Sequence, residues 1–71
     1  MLGKVVDARG LLCPEPVLRT KKVIDTISKG SLEVLVDNPA ARENVTRLCK
    51  NKGWNVDVSE QGADYVLKIS R

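Results

Sequence analysis

Asp7-Ala8-Arg9-Gly10-Leu11-Leu12-Cys13-Pro14-Glu15-Pro16 is the stretch that decides how the rest of the chain is read. It begins as the end of a strand, turns at a glycine, and delivers a cysteine followed by two prolines at alternate positions. Proline lacks an N–H and its ring clashes with the preceding turn, so Pro14 is excluded from a helix interior. It is accepted at the first helical position, where the N–H would be orphaned anyway. Pro16 fits the same first turn. Cys13 is therefore expected as the N-cap, held extended by the proline after it. A sulfur in that place faces unpaired backbone N–H groups and the positive end of the helix dipole. Both favour a thiolate, the nucleophilic form of cysteine.

Working outward, Lys4 to Ala8 reads as a short strand centred on Val5 and Val6. Downstream, the helix opened by Pro14 is expected to run to about Ser28. Val17, Thr20, Ile24 and Ile27 share one side of it, with Val23 beside them, and Gly30 is its expected stop. Leu32 to Asp37 alternates as a half-buried strand. Asp37-Asn38-Pro39 then offers a cap and a proline to start a second helix. On that helix Ala41, Val45, Leu48 and Cys49 share a face, Arg42, Glu43, Arg47 and Lys50 point outward, and Gly53 ends it. Trp54, Val56 and Val58 alternate with polar residues up to Ser59. Glu60-Gln61-Gly62 is expected to turn the chain, and Tyr65, Leu67 and Ile69 alternate in a last strand. The order β-α-β-α-β-β puts both helices on one face of the sheet through right-handed crossovers. The predicted architecture is a two-layer α/β sandwich, with Glu33, Asn55, Asp57 and Lys68 on the open face.

The totals narrow the function. Seventy-one residues make a single domain, 1–71, with no repeat, linker or low-complexity tract. With 42% hydrophobic and only 3% aromatic residues, the core must be built from Val, Leu and Ile. There is no histidine and there are two cysteines, so a closed zinc site is not expected and Cys-His or Ser-His catalysis within one chain is excluded. Cys13 and Cys49 stand too far apart for a Cys-x-x-Cys redox pair and are too few for a secreted disulfide framework. No signal peptide is visible and no apolar run is long enough to span a bilayer, which makes the cytoplasm the expected compartment. The net charge of +3 is compatible with an RNA or acidic-protein partner without being diagnostic of either.

Asp7, Gly10 and Cys13-Pro14-Glu15-Pro16, with a helix directly after, resemble the TusA-type sulfur carrier family and its Cys-Pro-x-Pro motif. The likeness extends over the whole chain in length and element order. Val36 to Val45, Val-Asp-Asn-Pro-Ala-Ala-Arg-Glu-Asn-Val, looks most like the YedF-like branch associated with selenium metabolism, whose members often carry this domain as the N-terminal half of a longer chain. The resemblance implies the fold of the C-terminal domain of translation initiation factor 3, with sheet order 1-2-4-3 and the last strand antiparallel to the others. It implies a persulfide on Cys13, taken from a cysteine desulfurase-like donor protein and relayed to an acceptor protein. It also implies tRNA thiolation or selenium metabolism as the eventual use, and no cofactor.

Under this reading Cys13 is the catalytic residue of a sulfurtransferase-type relay. Its thiolate attacks the outer sulfur of a donor persulfide and needs no general base once partly ionised. Pro14 and Pro16 stiffen the start of the helix. Glu15 is a first-turn acid whose charge opposes thiol ionisation, and Arg9 and Arg19 are placed to offset it. Asp7 and Gly10 shape the loop. Arg9, Arg19 and Lys22 are the expected docking cations near the motif. Cys49 is expected in the core, with a resolving thiol as the alternative. Two other functions remain open at this stage: an RNA-binding module, or a redox-regulated interaction domain.

Overall fold

The computed structural model describes residues 4–11, 15–27 and 29–71. Its elements follow the expected order: β1 (Lys4–Asp7), α1 (Glu15–Thr26), β2 (Ser31–Val36), α2 (Pro39–Asn51), β3 (Asn55–Gln61) and β4 (Asp64–Ser70). The strands form one sheet in the order β1-β2-β4-β3. β1 runs parallel to β2, while β4 is antiparallel to both β2 and β3. The expected strand order and the reversed last strand are both present.

The core lies between the sheet and the two helices. Ile24 of α1 and Ala41, Val45 and Cys49 of α2 join Leu32, Val34, Val36, Leu67 and Ile69 of the sheet. Burial alternates strictly along β2, as a sheet with one covered face requires. On the other face Val5, Glu33, Lys68 and Asp57 stand side by side across the four strands. Lys68 is thus flanked in register by two carboxylates, a favourable cross-strand arrangement.

The helices start for local reasons. Asn38 is extended (φ −152°) and its side chain accepts the Ala41 N–H at 2.8 Å, with Pro39 in the first turn of α2. In α1, Thr20 is fully buried yet satisfied, because its hydroxyl donates to the Pro16 carbonyl at 2.9 Å. Pro16 itself is sealed into the core, which the sequence reading did not anticipate. The expected helical ends at Pro14 and Ser28 lie outside the described residues.

Several expectations are corrected. The β3–β4 turn is not Glu60-Gln61-Gly62: Glu60 and Gln61 continue β3, Gln61 pairs with Asp64, and the loop is Gly62-Ala63. Gly62 has φ +64°, so a two-residue hairpin becomes possible without strain and the ladder zips to its end. Val58 points to the helix side but remains 40% exposed, because β3 is an edge strand that the helices overhang only in part. Arg42 does not simply point outward; its guanidinium lies 4.9 Å from the centre of the Tyr65 ring. No helix among the described residues is long and apolar enough to cross a membrane.

Candidate functional site

The motif loop leaves the end of β1. Ala8 extends the parallel ladder by donating its N–H to Leu35 O at 2.8 Å and is buried. Asp7 and Arg9 then fold onto each other. Asp7 accepts the Arg9 backbone N–H at 3.2 Å and its Nε and Nη2 at 2.9 and 2.8 Å. A bidentate guanidinium–carboxylate pair of this kind is a strong, directional contact. The Arg9 hydrogen bonds hold the Asp7 pKa down to about 2. Arg9 also reaches Asp64 on β4 at 3.3 Å, and the two carboxylates hold it more firmly cationic than usual. The expected docking cation is therefore occupied between two strands' ends. Gly10 reverses the chain at φ +77°, a conformation costly for residues with a Cβ.

Past the turn, the first turn of α1 presents Glu15 and Arg19 on an exposed surface, 4.0 Å apart. Arg19 thus stands where it offsets the Glu15 charge, whereas Arg9 is turned to Asp7 and Asp64. Lys22 is exposed and has no carboxylate within ion-pair distance among the described residues. Neighbouring Lys21 is paired with Asp25 at 2.8 Å, which lowers the Asp25 pKa. Cys13, the expected nucleophile, and Pro14 lie outside the described residues.

The second cysteine is fully described. Cys49 sits on the inner face of α2 with 0% exposure and is free. Burial pushes its thiol up to about 11. Its carbonyl accepts the N–H of Trp54, which is also buried, with Arg71 5.7 Å above the ring. The core reading of Cys49 holds, and a resolving role would require opening the core.

Two residues near the loop escaped the sequence reading. Asp37, expected only as a residue ahead of the helix cap, accepts the Gly10 N–H at 2.7 Å. Asp64, which carried no signal at all, holds Arg9. Both contacts join positions far apart in sequence, and local periodicity does not reveal such contacts. Among the described residues no cluster of His, Cys, Asp and Glu is placed to hold a metal ion.

Comparison with known proteins agrees with this layout. Residues 4–71 match the family described as Sulfurtransferase TusA. A candidate sulfur carrier protein of Methanocaldococcus jannaschii is 41% identical over 59 residues, covering 82% of this chain and 79% of that one. The sulfur carrier protein TusA of Pseudomonas aeruginosa is 33% identical over 69 residues, covering 94% and 87%. The crystal structure of a SirA-like protein from Desulfitobacterium hafniense superposes with a TM-score of 0.88 at 30% identity, covering 93% of each chain. On these matches, and with the motif loop running from β1 into α1, this chain belongs to the TusA sulfurtransferase family.

Proposed function

We propose that this protein is a sulfur carrier that bears a sulfane sulfur as a persulfide on Cys13. The observation that carries the reading is the exclusion of the alternative. Of two thiols, Cys49 is sealed in the core with a raised pKa, so the sulfur chemistry falls to Cys13 in the Cys-Pro-x-Pro motif. Membership of the TusA family and the names of its relatives support the same role.

In the first step the Cys13 thiolate attacks the outer sulfur of a donor protein's persulfide. A new S–S bond forms on Cys13, the donor's S–S bond breaks, and the donor cysteine leaves as a thiolate. In the second step an acceptor nucleophile takes the outer sulfur and Cys13 leaves as a thiolate. As the N-cap that the Cys-Pro-x-Pro sequence implies, Cys13 would be stabilised as a leaving group as well as an attacking thiolate. Both steps are exchanges without net redox change, so no cofactor is required. The donor is a cysteine desulfurase-like protein, the acceptor a second protein, and the setting the cytoplasm. The uses implied by resemblance are tRNA thiolation or selenium metabolism. Asp7, Gly10, Pro14, Glu15 and Pro16 are the positioning residues of the motif, and Arg19 and Lys22 offer docking charge near it.

Intact mass measurement after incubation with a cysteine desulfurase and cysteine tests the reading. A gain of one sulfur is expected in the wild type and in Cys49→Ala, and none in Cys13→Ser. A gain that survives Cys13→Ser and disappears in Cys49→Ala reverses the assignment.

A further inference from the structure

β1 lies at one end of the sheet, so only one of its two edges is paired. Ala8 turns its N–H toward β2, donating to Leu35 O at 2.8 Å. Backbone groups alternate in direction along a strand, so Val5 and Asp7 present their N–H and carbonyl groups away from β2. A trough runs along this free edge, with Val5, Val6 and Asp7 on one side and Leu18, Arg19 and Lys22 of α1 on the other. Val5 is 64% exposed and Leu18 51%; among the described residues, Val58 on β3 is the other large apolar side chain left so open. The charges of the trough are unequally committed. Asp7 is held by Arg9, and Asp25 by Lys21. Arg19 has only a 4.0 Å contact with Glu15, both groups being exposed, which is a weak pairing. Lys22 has no carboxylate within ion-pair distance among the described residues. The uncommitted charge of the trough is therefore positive.

We propose that the free edge of β1 is a docking site for an extended, acidic segment of a partner protein, which joins the sheet as an added strand beneath α1. An exposed edge offers main-chain hydrogen bonds to any extended chain, and the walls around it select the side chains. Side chains of an added strand alternate between the faces. One set covers Val5 on the open face, and the other meets Leu18 and the cations of α1. Alternate residues of a strand lie about 6.6 Å apart. Arg19 and Lys22, three apart on a helix, are spaced by about 5–6 Å. Acidic residues at alternate positions can therefore address the two cations in turn. A second copy of this chain fits less well. Joining two β1 strands about a two-fold axis sets both α1 helices on one side of the seam, where Arg19 and Lys22 of each copy confront those of the other. The opposite edge strand, β3, carries Asp57 and Glu60 and repels the same segment. With only four residues in β1, the edge suits a transient partner rather than a permanent one. The proposal stands whether or not Cys13 carries sulfur.

The test is an NMR titration of the full chain, under reducing conditions, with the capped peptide Thr-Val-Glu-Val-Glu-Val-Thr. Saturable shifts are expected at Val5, Val6 and Asp7 and on the Leu18–Lys22 side of α1. The same peptide with its central amides N-methylated loses the edge hydrogen bonds and should bind at least about tenfold more weakly. Leu18→Ala removes exposed apolar surface and should weaken binding by roughly fivefold with Tm unchanged. Lys22→Glu should weaken binding by roughly fivefold, and a peptide with lysine in place of both glutamates should reverse that preference. The reversal separates recognition at the trough from any general effect of the substitution on the fold. Three results overturn the proposal: no saturable binding, binding that N-methylation leaves unchanged, or shifts that map to β3 instead. Concentration-dependent pairing of the free chain through β1 also overturns it, in favour of a second copy as occupant. Sulfur loading is read separately by mass, so a chain that loads normally and ignores the peptide refutes the docking edge while leaving the carrier reading intact.

Discussion

In the folded protein the Cys49 thiol should be close to inert, and the structure sets how inert. With its pKa pushed up to about 11, roughly one molecule in a thousand carries the Cys49 thiolate at pH 8. An ordinary thiol, with a pKa near 8.5, is about one-quarter ionised there. Ionisation alone therefore slows alkylation by about 200-fold. Burial adds to this, because at 0% exposure a reagent reaches the sulfur only when the core opens. The assay uses the Cys13→Ser chain, iodoacetamide at pH 8, and intact mass over time, in buffer and in guanidinium chloride. Native labelling should run at least two orders of magnitude slower than denatured labelling. Native labelling within about threefold of the denatured rate would refute the placement of Cys49, and with it the exclusion on which the assignment of Cys13 depends. The same raised pKa has a stability consequence of definite sign. The unfolded chain gives up the Cys49 proton at lower pH than the folded one. Stability is therefore full below about pH 8.5 and falls as pH rises toward 11, by roughly 2–3 kcal/mol at the end of that window.

Three further perturbations follow from the geometry. Leu67 has no exposed surface and lies in a strand paired on both sides, so Leu67→Ala should cost about 2–5 kcal/mol in denaturant unfolding. Asn38→Ala should cost about 1 kcal/mol through the lost α2 cap, read as a lower urea midpoint at unchanged m. Asp7, held down to about 2 by Arg9, contributes stability that is present above the ordinary aspartate range and lost as pH falls through 2. Arg9→Ala should move the Asp7 carboxyl titration, followed by NMR, back up toward ordinary values; an unmoved titration would show that the pair does not form in solution.

Periodicity made most of the fold legible. Leu32, Val34 and Val36 alternate cleanly, and the spacing of Ala41, Val45 and Cys49 marks one helix face; both patterns depend only on near neighbours. Asn38-Pro39 placed the start of α2 for the same reason. The reading failed where the answer lay in another element. Arg42 looks like a solvated charge until Tyr65 of β4 is brought under it. Val58 looks like core until its strand proves to be an edge. At the site, Asp7 and Gly10 were legible as loop-formers because aspartate and glycine have local reasons to sit in turns. Asp37 and Asp64 were not, since their roles come from residues 27 and 55 positions away.

The hairpin strand β4 sits between β2 and β3, although it is the last of the four in sequence. During synthesis, β1 and β2 are made first and have only each other to pair with. The inner edge of β2 stays unsatisfied until residues 64–70 appear, and β3 then arrives with β4 as a hairpin. The sheet is therefore complete only once β4 is in place between β2 and β3. Gly30 and Arg71 exchange hydrogen bonds at 3.0 Å and close the seam between β2 and β4. A ribosome-bound chain stalled before that seam has no finished sheet to present to any partner.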